Sequence, residues 1–328
     1  MSEQAPATDG DDQKGRPERE MPQWLTDYGT WFMPTLVGLG ALALTLTAPR
    51  LAFFAVVGWL MLVPSILVHE WGHYRSARKS GMGVSEFNIG FGKVLWSRVD
   101  KNGVLWSLKA IPVGGSVEVK GMTIEDVEQR QVPPGEAFIH ATPWRRLKLM
   151  YAGVAMNLLC AWIALVPMAV MLRPADLGWK GVLVAPLAAA LSMGVFFAMA
   201  LRGLVQAVTQ WDADVGSILR MPQMLESGVD AAATTGMSAW TYMLLAFALV
   251  NLSIVVLNAL PLYPLDGYHG ILALADSVRG KIARMRGRGP VSPWTAAQMA
   301  PARKVTGSLV AVFAVSVVGR DVLSFLAR

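Results

Sequence analysis

Residues 51–73 read Leu-Ala-Phe-Phe-Ala-Val-Val-Gly-Trp-Leu-Met-Leu-Val-Pro-Ser-Ile-Leu-Val-His-Glu-Trp-Gly-His. From Leu51 to Val68 there is no charge and Ser65 alone carries a hydroxyl, so the stretch approaches the roughly 20 apolar residues that a bilayer-crossing helix needs. Its end changes character at His69, Glu70 and His73. Helical residues four apart share a face, so both imidazoles can meet one metal ion, with Glu70 beside them to take a proton from water. A chance match on an amphipathic helix is the competing reading. The membrane context weakens it, because ionisable groups at membrane depth are costly and mark function.

Five further apolar segments lie outward from this one, at about 31–47, 147–172, 182–206, 237–260 and 307–326. Pro49-Arg50 parts the first from residues 51–69, and Pro64 is tolerable because neighbouring groups in a membrane bundle can satisfy the carbonyl it frees. The chain of 328 residues is 54% hydrophobic and 16% charged, against about 45–50% and 25% in soluble domains. That excludes a disordered chain and argues against a soluble globule. The net charge of +6 is read as loop Lys and Arg that set topology, with no nucleic-acid partner. One cysteine, Cys160, sits inside an apolar run, which excludes a disulfide framework and a cysteine-based metal site. Between about 82 and 122, short β-prone runs alternate with Asn102-Gly103 and Gly114-Gly115, signals of strands and hairpins. The expected fold is an all-α polytopic membrane protein, a helical transmembrane bundle with a small membrane-associated β-hairpin region. Residues 1–30 are expected to be a mobile polar tail and 31–328 a single domain.

A catalytic zinc takes three protein ligands and keeps a fourth position open. Candidates for the third are acidic residues, His140 and His269. In Asn258-Ala-Leu-Pro-Leu-Tyr-Pro-Leu-Asp266-Gly267 an apolar helix stops at Pro261 and Pro264, and Asp266 follows where the backbone must unwind. Unwound backbone at membrane depth is tolerated where it lines a cavity. A plain polar turn at the bilayer edge is the bland alternative; beside the His motif, Asp266 is the expected third ligand.

Taken in order, these motifs resemble the site-2 protease family of intramembrane zinc metalloproteases, from about Leu51 to the C-terminus. The resemblance implies one zinc ion per chain on His69, His73 and Asp266, with Glu70 as general base and Asn258 as a substrate or backbone clamp. Ile111-Pro-Val-Gly114-Gly115 is similar to the family's Gly-Gly hairpin that dips beside the active site, which puts Gly114 and Gly115 on the substrate side. Ala152-Gly-Val-Ala-Met-Asn157 is similar to its Ala-Gly-Pro-x-x-Asn helix, with Val154 in place of proline. Relatives often carry a peptide-binding PDZ domain after the segment at 147–172. Here only Arg173 to Gly181 intervenes, so the filter that such a domain provides is expected to be absent or supplied by a separate adaptor.

The implied function is peptide-bond hydrolysis in single-pass membrane proteins, such as anti-sigma factors or signal-peptide remnants, by a multi-pass protein of the cell membrane. A non-catalytic protein that holds partner helices is the alternative, and a zinc transporter would want more intramembrane acids and histidines. Asn157 is expected to be glue between helices, His269 structural and His140 on the surface. Basic residues place 74–146 and 277–304 in the cytoplasm. Segment 147–172 then runs outward and 237–260 inward, which leaves an even number of crossings between them. Residues 182–206 are therefore expected to be re-entrant or surface-lying, with Asp212 reachable from outside.

Overall fold

The computed structural model describes residue 35 and residues 38–209, 220–289, 291–292 and 294–326. The chain divides at Thr47 into two units. Within the first, the described residues include one short apolar helix, α1 (Gly38–Thr47). The expected tail at 1–30 and the acidic residues at 212 and 214 lie outside the described residues.

The second unit opens with α2 (Pro49–Lys79), whose proline at the first turn needs no hydrogen-bond partner. At 1.5 Å per residue its 31 residues reach about 46 Å, longer than a bilayer's hydrocarbon core, so His69 and His73 fall near one end. Two strands follow, β1 (Val84–Val99) and β2 (Leu105–Val119), paired antiparallel. Asp100 closes the turn between them: its carboxylate accepts from the amides of Asn102 at 2.7 Å and Val104 at 3.0 Å. Both strands fold over, so Glu86 to Ile89 pair with Gly115 to Glu118 on one side and with Leu105 to Leu108 on the other.

The inner half of this sheet packs Val84, Phe87 and Val119, with Met82 and Val104 beside the strands, against Ala77, Phe138 and Leu149. Its outer half leaves Phe91, Val94, Leu95, Trp96, Ile111 and Val113 exposed. Trp59 of α2 donates to the carbonyl of Pro112 at 2.8 Å, which fastens this apolar surface alongside the spanning part of α2. The expected β region at 82–122 is therefore present. Gly114 and Gly115, however, sit inside β2 and form no turn.

After α3 (Ile124–Arg130) come α4 (Pro143–Met171), α5 (Gly178–Thr209), α6 (Met221–Thr234), α7 (Ala239–Ala259), α8 (Asp266–Met285) and α9 (Ala296–Leu326). Thr142 and Ser238 cap α4 and α7 by accepting from the amides of Arg145 and Thr241. Five helices, α2, α4, α5, α7 and α9, are long and apolar enough to cross a membrane. The centre is α4, which packs on α2, α5, α7 and α8, and Ala161, Leu165, Ala189, Ala248 and Leu252 form the core where α4, α5 and α7 meet.

Side-chain pairs fix the directions. Leu149 of α4 meets His73 and Asn157 meets Ser65, so α4 runs opposite to α2. Asn251 of α7 also meets Ser65, and the chain then reaches Asp266 beside His73, so α7 runs with α2. Thr241 donates to Met171 Sδ at 3.5 Å, so the end of α4 and the start of α7 share one end of the bundle. The even number of crossings expected between them fits that arrangement. Within it, α5 is one unbroken 32-residue helix laid along α4, with Trp162 donating to the carbonyl of Pro186 at 3.0 Å. Its length and hydropathy are those of a span, while the connection at 210–219 lies outside the described residues. No apolar segment of the sequence covers Met221–Thr234. The structure places α6 there, held to the start of α2 by Arg50 with Glu226 and Asp230.

Candidate metal centre

Near the end of α2 the rings of His69 and His73 stand edge to face, with centroids 4.7 Å apart. Each has its Nδ1 tied down. His69 Nδ1 donates to Asn157 Oδ1 at 2.6 Å, and His73 Nδ1 donates to the carbonyl of Leu149 at 2.8 Å. An imidazole that donates from Nδ1 presents a lone pair on Nε2, so both rings are oriented as metal ligands usually are. The two Nε2 atoms lie 3.0 Å apart.

The third donor arrives from the other end of the site. Helix α7 stops at Ala259, and Pro261 and Pro264, the latter after a cis peptide bond, carry the chain in a short non-helical passage. Asp266 is the first residue of α8, with Oδ2 at 2.8 Å from His69 Nε2 and 3.1 Å from His73 Nε2. Among the described residues, His69, His73 and Asp266 are the group able to hold a metal ion, with all donor atoms within 4.8 Å of one another. Two imidazoles and a carboxylate that leave a position open suit a catalytic zinc.

A steric observation agrees. A Cβ on Gly153 of α4 would stand 2.5 Å from His73 Nε2 and 2.6 Å from His69 Nε2. The hydrogen of this glycine leaves open the space in front of the donor atoms, which any larger residue would fill.

Glu70 is on the next face of α2 and lines a cavity of about 320 Å³ together with His73, Val117, Met150, Asp266 and His269. The backbone amide of Val117 faces its carboxylate. Strand β2 can come this close because of Gly115, where a Cβ would be 3.0 Å from Leu67 Cδ2 and 3.4 Å from Glu70 Cγ. Gly114 is packed against the ring of Phe91.

Behind the histidines lies a buried polar network that joins three helices. Asn157 Nδ2 donates to the carbonyl of Ser65 at 3.0 Å and to Asn251 Oδ1 at 2.8 Å. Asn251 Nδ2 in turn donates to Ser65 Oγ at 3.0 Å and to the carbonyl of Phe247 at 2.9 Å. The expectation that Asn157 is only helix glue is thus corrected: it also orients His69. Asn251, Ser65, Gly153 and the Leu149 carbonyl were missed by sequence reading. An asparagine in the middle of each of two apolar helices was the available signal, since a buried amide must find partners.

Of the other candidates, Asn258 is half-buried in the last turn of α7 and makes none of these hydrogen bonds. His269 lies against Phe138 and Tyr268 at the cavity wall, outside the donor trio. Burial pushes its imidazole down to about 4, which keeps it uncharged at neutral pH. His140 is exposed.

The family described as Peptidase family M50 matches residues 57–299, well over half of the chain. A protein of Xylella fastidiosa (strain 9a5c), named as a zinc metalloprotease by inference, is 38% identical over 115 residues, 34% of this chain and 26% of that protein. The "Regulator of sigma E protease" of Haemophilus influenzae is 35% identical over 116 residues, 35% of this chain and 26% of its own. The "Protease RseP" of Yersinia pestis is 37% identical over 115 residues, 34% and 24% of the two chains. Each match spans about a quarter of the relative's length.

Proposed function

Because the chain belongs to peptidase family M50, we propose that it is an intramembrane zinc metalloprotease, and that it hydrolyses peptide bonds in single-pass membrane proteins. The observation that carries this reading is the convergence of His69 Nε2, His73 Nε2 and Asp266 Oδ2, each within 3.1 Å of the other two, with Glu70 next along α2. These three residues would hold one zinc ion. When bound, zinc would polarise a scissile carbonyl and acidify water, lowering its pKa to about 7.

The chain's own residues then divide the remaining work. Glu70 takes the proton from the attacking water and passes it to the leaving amine nitrogen, a role that needs a carboxylate close to but not on the metal. Asn157 and the Leu149 carbonyl hold the two imidazoles in one tautomer, with both Nε2 atoms turned to the site. A substrate helix hides its carbonyls in internal hydrogen bonds and must unwind first. Residues Gly114 to Val119 of β2, which run past Glu70, offer backbone on which an unwound segment can add as a strand. Asn258 is assigned to the same substrate side.

The Haemophilus relative is named for the regulation of sigma E and the Yersinia relative as a protease; regulated cleavage of anti-sigma factors or signal-peptide remnants is the activity assigned here. A multi-pass place in the cell membrane is part of the same reading. So is a separate adaptor in the role of a PDZ domain, since a short turn around Ala175–Leu177 is all that joins α4 to α5. The test is Glu70→Gln in purified, reconstituted protein. Cleavage of a single-pass substrate is expected to disappear while one zinc per chain stays bound. Substantial residual cleavage would remove Glu70 from the role of base, and absence of cleavage by wild type with zinc bound would favour a protein that only holds partner helices.

A further inference from the structure

Helix α8 carries two unlike faces. Gly270, Ala273 and Ala283 are buried on the side that packs against α4, where Arg146 reaches Asp276 at 2.7 Å. On the opposite side Ile271, Leu274, Val278, Ile282 and Met285 follow one another at intervals of three or four residues, from 38% to 71% exposed. That spacing puts all five on a single stripe, since a helix turns once in 3.6 residues. The stripe has no protein covering it among the described residues, and α8 is too charged to count among the candidate spans.

Its charge is one-sided. Lys281, Arg284, Arg286 and Arg288 are exposed at the far end of the helix and in the turn after it. Asp276 is the one acid between Gly267 and Gly289, and it is engaged by Arg146 and Arg279. The guanidinium of Arg279 lies over the ring of Trp294 at 4.1 Å, a pairing of residue types that favours a membrane–water boundary. The helix also starts a few residues after the apolar α7 ends, so it leaves the bundle at the end where the metal centre lies.

We propose that α8 is an interfacial helix that seats its apolar stripe in the adjoining leaflet and binds the phosphate groups of anionic phospholipids through Lys281, Arg284, Arg286 and Arg288. An apolar face for acyl chains and an uncompensated basic rim are the two chemistries that such a surface requires. Because Asp266 is the first residue of this helix, its seat on the leaflet also fixes the depth of Asp266 relative to His69 and His73. That consequence rests on the proposed metal site; the docking itself does not.

The test uses the full chain with Cys160→Ala, in nanodiscs of phosphatidylcholine alone or mixed equally with phosphatidylglycerol. A nitroxide on Val278→Cys is expected to collide with oxygen and be shielded from a water-soluble nickel chelate, whereas one on Ser277→Cys, off the stripe, meets the chelate. Spin-labelled phosphatidylglycerol is expected to be retained by the protein over spin-labelled phosphatidylcholine, with about a fivefold loss of that preference for each of Lys281, Arg284 and Arg286 changed to Gln. Equal chelate access at Val278 and Ser277 in the anionic discs overturns the proposal, as does equal retention of the two lipids or competition by inorganic phosphate alone at millimolar levels. If docking is found but zinc retention against a chelator is the same in both discs, only the link to Asp266 fails.

Discussion

At the scale of single residues, the centre depends on the groups that surround the two imidazoles as well as on the donors themselves. Asp266→Ala removes one donor of three and is expected to lower bound zinc to well below one per chain, read by metal analysis of purified protein. Gly153→Ala should do the same with all three donors in place, since its methyl group would stand 2.5 Å from His73 Nε2. Full zinc occupancy in the Gly153 variant would show that the helices part easily and that the cradle is not steric. Asn157→Ala strips the oxygen from His69 Nδ1 and leaves Ser65 and Asn251 with unmet partners in a buried setting. An expected cost of about 1–3 kcal/mol in stability follows from the unmet groups. Zinc affinity should fall about 10–100-fold, the usual effect of losing a residue that orients a ligand. Competition with a chromophoric chelator measures it, and an unchanged affinity would return Asn157 to simple helix contact.

At the scale of elements, the contact that matters most is β2 against α2. Gly115 lies where a Cβ would meet the Asn88 carbonyl and Leu67, both at 3.0 Å, and neither a sheet carbonyl nor a packed leucine yields freely. Gly115→Val is therefore expected to push β2 away from Glu70, at about 1–3 kcal/mol of strain. Cleavage should slow at least tenfold while zinc stays bound, because the two histidines belong to α2 and are held from behind by α4. Equal losses in zinc content and in cleavage would make the glycine a packing residue only. The same reasoning explains why the Gly-Gly pair reads ambiguously in the sequence: a glycine required for close approach inside a strand and one required for a turn look alike until the neighbouring helix is placed.

For the whole molecule, the decisive feature is that α2 and α7 run the same way while α4 runs against them. His73, Leu149 and Asp266 gather at one end; Arg50, Glu226, Met171 and Thr241 gather at the other. In a Cys160→Ala background, Lys79→Cys and Ser227→Cys are expected to react with a membrane-impermeant maleimide from opposite sides, Lys79 only after the cytoplasmic side is opened. Both residues are exposed, so lack of reaction would not reflect burial. Labelling of both from one side would break the shared direction of α2 and α7, and with it the pairing of Asp266 with the histidines.

Residues 51–73 showed, by themselves, an apolar helix of bilayer length and the shared face of His69 and His73 beside Glu70, while the meeting of Asp266 with those histidines was decided by the tertiary structure. The helix and the shared face are local: an apolar run of bilayer length is visible in the chain, and two histidines four apart share a face wherever a helix forms. The β region was legible for the same reason, since alternating runs and glycine turns are short-range signals. Helix α6 carries local signals, with proline in its first turn and Met221, Leu225 and Val229 four apart, but the surface that this face meets, at Gly58 of α2, is visible only in the structure. The roles of Asn157, Asn251 and Gly153 were decided only by tertiary structure. An asparagine's hydrogen-bond partners and a glycine's missing methyl group acquire meaning from the helix opposite, and periodicity along one chain carries no record of which helix that is.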